Sequence, residues 1–254
     1  MRNVLQRSVD SLRPLKIVVT NDDGIDAPGI AVLHRLASQI GEATVVAPLS
    51  AHSGAGHGVT AHRPLDVTCN RPGWYAVSGT PADCARVALK VLVPDADWLL
   101  AGINPGANLG SDIYNSGTVA AAREAAMLGC RSAAVSQYIA RDQTIEWATT
   151  GGHAETLLQW LLRHDLSPAE YWNANLPHPL SPDDALRVVL CEPDPLPHAF
   201  DYRRQGDRLT YSDDIHVRPR IPGRDVAVCF GGAVSVSRLA LAGSMAKRRT
   251  TDDP

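Results

Sequence analysis

The sequence predicts an α/β protein built on a doubly wound, mostly parallel sheet, and three features of the chain point there. Short β-branched runs end abruptly in loops rich in Asn, Asp, Ser and Gly, stretches of helical periodicity follow those loops, and the alternation repeats from Lys16 to about Ser136. In such sheets the groups that do chemistry collect on loops at the strand C-termini.

Residues 16–20 read as the first buried strand, stopped by the turn-rich stretch 21–28. Ile30, Leu33, Ala37 and Ile40 then recur at helical spacing, entered through Pro28-Gly29 and left at Gly41. Residues 43–47 form a second buried strand that runs into the long polar loop 48–58. Residues 59–74 break the rhythm, because Leu65, Val67 and Cys69 alternate with polar residues as on a half-exposed strand in a hairpin or at an edge. After a strand at 74–77, Thr80 caps and Pro81 opens a helix carrying Cys84, Val87, Ala88 and Val91. A strand at 98–101, a loop at 102–115, a helix at 117–128 and a strand at 132–136 continue the pattern.

Beyond Gln137 the periodicity weakens. Residues 145–164 read as mostly helical despite Gly151-Gly152, and short runs at 173–176, 187–191, 208–211, 225–230 and 233–239 read as extra strands and hairpins. This C-terminal extension suits a dimerisation arm or a substrate lid. Residues 1–254 are expected to form a single domain, with 1–14 as an N-terminal extension and 244–254 as a flexible tail.

Composition narrows the function classes. With 254 residues, 44% hydrophobic and 20% charged, the chain matches an ordinary globular protein. A net charge of -3 argues against a broad surface for polymeric nucleic acid, and the basic run Lys247-Arg248-Arg249 reads as part of a solvated tail. The five cysteines, at 69, 84, 130, 191 and 229, show no metal spacing and read as reduced, mostly buried thiols. The first fourteen residues lack the apolar core of a signal peptide and no apolar run is long enough to span a bilayer, so a cytoplasmic location without membrane partners is expected.

Three loops carry the chemistry, and a parallel sheet would open all of them on one edge. Thr20-Asn21-Asp22-Asp23-Gly24 places adjacent carboxylates at a strand end, which is costly unless a cation or donors neutralise them. An Asx turn and helix cap is the ordinary alternative for those residues. His52-Ser53-Gly54-Ala55-Gly56-His57-Gly58 offers a hydroxyl on a glycine-rich backbone; a flexible connector is its bland counterpart. Residues 102–110 supply the amides of Asn104 and Asn108 among glycines, matching neither the dinucleotide nor the nucleoside-triphosphate glycine pattern. Just beyond, Ser116-Gly117-Thr118 starts an alanine-rich helix whose free N–H groups suit a phosphate. Carboxylate, hydroxyl and amide oxygens favour Mg²⁺ or Mn²⁺ over a closed Cys/His zinc site, and a hard cation beside a phosphate-binding helix end suits phosphomonoester hydrolysis.

Several ordered motifs together are specific enough to name a family. Residues 19–30, Val46-Ala47-Pro48, Ser53-Gly54, Gly79-Thr80-Pro81-Ala82-Asp83-Cys84, residues 102–110 and residues 116–122 resemble, in order, the SurE (survival protein E) family of 5'/3'-nucleotidases. Asn173-Ala174-Asn175-Leu176-Pro177 and the segments 225–228 and 234–237 echo it more weakly. The resemblance implies a Rossmann-like core, hydrolysis of nucleoside monophosphates, and a homodimer or homotetramer built partly from swapped C-terminal elements. It implies one divalent cation per subunit held by Asp22, Asp23, Ser53 and Asn104; Asp22 and Asp23 are also the candidate catalytic residues, with the proton taken either by one of them or by hydroxide that the metal generates without a dedicated base. Asn108, Ser116, Gly117 and Thr118 then look like phosphate contacts, while Asn21 shapes the loop and touches phosphate. The chain departs from the family at Leu49-Ser50-Ala51-His52 and in residues 201–211, which keeps open a phosphatase for a sugar phosphate or modified nucleotide, or a nucleotide-sensing protein without turnover. His57 reads as either a substrate contact or a solvated loop residue. Asp83 reads as an early-helix carboxylate, and Trp98, Trp147, Trp160 and Trp172 as packing residues.

Overall fold

A computed structural model describes residues 13–178, 180–197 and 200–241, except for the side chain of Asp213. The expected flexible tail at 244–254 and most of the N-terminal extension lie outside the described residues.

The first strand, β1 (Leu15–Thr20), is buried on both faces, as its β-branched run requires. Its side chains alternate: Ile17 and Val19 join one hydrophobic cluster and Val18 the other. Helix α1 (Pro28–Ile40) follows, with Pro28 in its first turn and Ile30, Leu33, Leu36 and Ala37 turned onto the sheet. Gly29 is required there, because a Cβ would sit 2.0 Å from the Ile103 carbonyl oxygen. Strand β2 (Gly41–Pro48) pairs parallel to β1 and to β4 (Trp74–Val77). Strand β3 (Val67–Arg71) pairs antiparallel to β4 at the sheet edge and is exposed throughout, so the expected edge excursion is present but shorter than the segment 59–74.

Helix α2 (Pro81–Val87) begins at a capping box in which Thr80 and Asp83 satisfy each other's backbone N–H, and a π-helical turn (Ala88–Leu92) extends it. Strand β5 (Trp98–Pro105) runs four residues further than expected, taking in Gly102 to Pro105. After the short α3 (Asp112–Asn115) comes α4 (Gly117–Met127), whose alanines pack it closely on the sheet, then β6 (Arg131–Gln137), α5 (Trp147–Arg163) and β7 (Glu170–Leu176).

The C-terminal part holds β8 (Val188–Leu190), the hairpin β9 (Phe200–Gln205) and β10 (Arg208–Asp213), α6 (Asp225–Phe230) and β11 (Val234–Ala240). The nine-stranded sheet has the order β3-β4-β2-β1-β5-β6-β7-β11-β8, parallel from β4 to β7. Helices α1 and α5 cover one face and α2 and α4 the other, as in a doubly wound sheet. Residues 225–230, expected as a strand, are helical. Asp225 is the reason: its buried carboxylate accepts from the Val226 N–H at 2.8 Å in the first turn, and a short apolar run cannot by itself distinguish helix from strand.

The chain builds outward from β1 through β2 to β4, then returns to β5 on the other side of β1. The loops after β1 and β5 therefore diverge at the switch point of the sheet, where open α/β sheets place their ligands.

Candidate active site

At that switch point a cavity of 350 Å³ is lined by Asp22, Asp23, Ser53, Gly54, Asn104, Pro105, Asn108, Asp112, Asn115, Ser116 and Tyr211. The structure thus brings together Asp22, Asp23, Ser53, Asn104, Asn108 and Ser116 from loops spread over some ninety residues of chain. Two larger cavities of 620 Å³ each lack paired free carboxylates; in one, Glu146 caps α5 and Asp184 accepts from the Ser181 N–H.

Asn21 sits behind the cavity rather than on it. Its side chain is buried, its Nδ2 donates to the Gly24 carbonyl at 2.8 Å, and Gly24 takes the positive φ of 100° that turns the loop. This holds Asp22 and Asp23 at the strand end. Thr118, expected on phosphate, instead serves Asp22: its hydroxyl donates to Asp22 Oδ1, and its backbone N–H also bonds that carboxylate. Gly117 is needed for the same approach, since a Cβ there would lie 2.8 Å from the Asp22 Cβ. The start of α4 is thus turned partly onto a protein carboxylate, as suits a helix N-terminus.

The electrostatics are those of a pair short of positive charge. Burial raises the Asp22 carboxyl above its usual range despite the Thr118 bonds. Asp23 is pushed up to about 7, first by burial and then by the neighbouring Asp22 charge, and its buried Oδ2 has no hydrogen-bond partner. Among the described residues no three His, Cys, Asp or Glu side chains converge as a metal cluster. The cavity carries further side-chain oxygens on Ser53, Asn104, Asn108, Asn115 and Ser116, and the Asn104 Nδ2 is committed to the Gly106 carbonyl at 2.7 Å.

The third loop is held from below by a buried amide network. Asn108 N–H donates to Asn175 Oδ1 at 2.7 Å, the Asn173 and Asn175 amides donate to the Asn108 carbonyl, and Asn108 Nδ2 donates to Ser136 Oγ at 2.8 Å. Asp225 accepts from the Gly110 N–H at 2.7 Å, so α6 braces this loop. The Asn173-Ala174-Asn175 segment thereby acquires its role as support.

Sequence reasoning missed Asp112, Asn115 and Tyr211. Asp112 is paired with the buried Arg218 at 2.6 Å. Its only sequence signal was its place just before Ser116, and Tyr211, brought in on β10, had none. Asp83 takes the structural role expected of it, accepting from Thr80 and Thr60. His57 is not among the cavity's lining residues, and though partly exposed it is tied down: its Nε2 lies 2.7 Å from Glu124 Oε2. All five cysteines are free, with Cys69 exposed and Cys84 and Cys229 buried. Among the described residues no helix is long and apolar enough to cross a membrane.

Known proteins resemble this chain in sequence and in fold. Residues 17–193 match the family model described as Survival protein SurE. A Synechocystis sp. protein is 44% identical over 227 residues, covering 89% of this chain and 99% of the relative. The 5'-nucleotidase SurE of Mesorhizobium japonicum is 39% identical over 204 residues, covering 78% of this chain and 81% of its own. The crystal structure of the SurE protein from Aquifex aeolicus superposes with a TM-score of 0.78 at 28% identity, over 91% of this chain and 96% of that one. A doubly wound sheet with paired aspartates at its switch point, and a family match spanning most of the sheet, place this chain in the SurE family.

Proposed function

We propose that the chain is a metal-dependent phosphomonoesterase that converts nucleoside 5'-monophosphates, and 3'-monophosphates where the cavity admits them, to nucleoside and phosphate. The observation that carries the reading is the convergence of four oxygen-bearing side chains, Asp22, Asp23, Ser53 and Asn104, on one cavity where burial raises both aspartates and the Asp23 Oδ2 has no hydrogen-bond partner. The SurE relative from Mesorhizobium japonicum is named a 5'-nucleotidase, which supports the substrate class.

The donor set fits one hard divalent cation, Mg²⁺ or Mn²⁺, held by those four residues. When bound, such a cation offsets phosphoryl charge and activates water for attack. Asn108, Asn115 and Ser116 line the same cavity and orient the phosphate, helped by the N–H of Gly117 at the start of α4. No histidine lines the cavity among the described residues, so its proton acceptors are the carboxylates, and Asp112 is spent on Arg218. Proton handling therefore falls to Asp22 and Asp23. The exposed apolar groups of the β9–β10 hairpin, Phe200, Tyr202 and Leu209, support a homodimer or homotetramer as the working unit, which we place in the cytoplasm.

Phosphate release from a panel of nucleotides and sugar phosphates tests the reading, each assayed with Mn²⁺, Mg²⁺ or chelator. Nucleoside monophosphates are expected to lead the panel and chelator to abolish turnover. Faster hydrolysis of a sugar phosphate would move the chain to a dedicated pathway, and tight AMP binding without release would make it a sensor.

A further inference from the structure

The loop between β2 and β3 carries Ser53 to the cavity, yet Ser53 makes none of the hydrogen bonds that hold the loop. Ser53 and Gly54 are exposed at its tip, and Gly54 and Gly56 take positive φ values of 72° and 56°. A backbone of that kind has little intrinsic preference for one conformation. The loop is anchored at its ends, by His52 N–H on the Asp22 carbonyl at 2.7 Å and by the Thr80 hydroxyl on the Gly58 carbonyl at 2.6 Å. Between those anchors it is tied to the rest of the protein by Gly56 N–H on the Asn115 carbonyl at 3.1 Å and by the side chain of His57.

The His57 tie is built into the core. Its acceptor Glu124 has a side chain 2% exposed and also receives Arg86 Nε at 2.6 Å. The carboxylate fixes the ring: Nε2 carries the proton, and Nδ1 faces Arg123 Nη1 at 3.3 Å as an acceptor. Arg123 is held in turn by the Tyr171 hydroxyl and the Ile113 carbonyl, both at 3.0 Å. Glu124 and Arg123 belong to α4, the helix whose Thr118 supports Asp22. His57 thus fastens the Ser53 loop to the element that already positions the aspartates.

We infer that His57 is a positioning residue, whose hydrogen bond to Glu124 holds the glycine-rich loop so that Ser53 completes the cation site beside Asp22 and Asp23. The inference rests on the cation reading above. Groups hydrogen-bonded directly to a ligand change metal affinity by about 10- to 100-fold, and His57, which acts on Ser53 through the loop backbone, is expected at the lower end of that range.

The test is calorimetric titration of the metal-stripped full chain with Mn²⁺, alongside His57→Ala and His57→Gln. Alanine leaves Glu124 Oε1 paired with Arg86, and Arg123 with Tyr171 and Ile113, so the variant is expected to fold, with a melting temperature without metal lowered only by the Glu124 Oε2 left without a donor, a loss that His57→Gln is expected to restore. His57→Ala is expected to bind Mn²⁺ about tenfold more weakly and to need correspondingly more Mn²⁺ for half-maximal turnover, with kcat recovered at saturation. His57→Gln, which retains an N–H donor for Glu124, is expected to recover most of that affinity. Parental affinity in His57→Ala would overturn the inference, as would equal weakening in both variants. If the unsubstituted chain takes up no Mn²⁺, the cation site fails and the inference with it; uptake unaffected by His57→Ala removes the inference alone.

Discussion

Replacing Asp23 by Asn removes a charge that the metal-free fold resists. Raising a carboxyl from 3.8 to about 7 corresponds to about 4 kcal/mol against its ionised form. Asp23 is only partly buried, so solvent screening reduces this to about 1–2 kcal/mol. The sign follows from the folded value lying above the unfolded one. Ionisation costs the native state nothing below about pH 4, and the penalty grows as pH rises through about 7. In chelator at about pH 8, Asp23→Asn should therefore melt about 2–8 °C above the parent, and the two should coincide only as pH falls to about 4 and below, where Asp23 is protonated in the folded and the unfolded state alike. Scanning fluorimetry across pH measures this directly. The same variant should lose any stabilisation that Mn²⁺ gives the parent and at least about 100-fold in turnover. A variant that melts below the parent at about pH 8, or whose advantage is independent of pH, would refute the electrostatic argument.

Gly117→Ala should cost at least about tenfold in activity and about 1–3 kcal/mol in stability, because its Cβ would lie 2.8 Å from that of Asp22; wild-type kinetics would show that the two elements separate freely. Asp83→Asn should lose about 1 kcal/mol near neutral pH, since Asp83 accepts in the α2 capping box and from Thr60. Its carboxyl lies below the usual range because of those bonds, so the contribution is present above the unfolded value of about 4 and disappears as pH falls through the folded value; chemical denaturation of both proteins over acidic pH reads it.

Wherever a local rule suffices, the sequence discloses the structure. The β-branched run before Asn21 has only a buried strand open to it, and Thr80-Pro81 with Asp83 three residues on spells a helix start. The paired aspartates were visible because adjacent carboxylates at a strand end need compensation. Pairings across the fold were not: Thr118 meets Asp22 across 96 residues and His57 meets Glu124 across 67, so neither partner is marked locally. Thr118 looked like a phosphate contact because a helix start binds anions without regard to whether the anion is substrate or side chain. Asp225 misled for a related reason. Its role is to brace Gly110, 115 residues away, and the apolar run behind it carries no period long enough to reveal a helix.

The central claim, that the cavity at the switch point holds a hard cation against four protein oxygens, is tested most directly by anomalous diffraction from crystals of the protein grown with Mn²⁺. The account predicts one peak per subunit, about 2.2 Å from oxygens of Asp22, Asp23, Ser53 and Asn104, and none in crystals of Asp22→Asn. A peak elsewhere, or an empty cavity at saturating Mn²⁺, would contradict it.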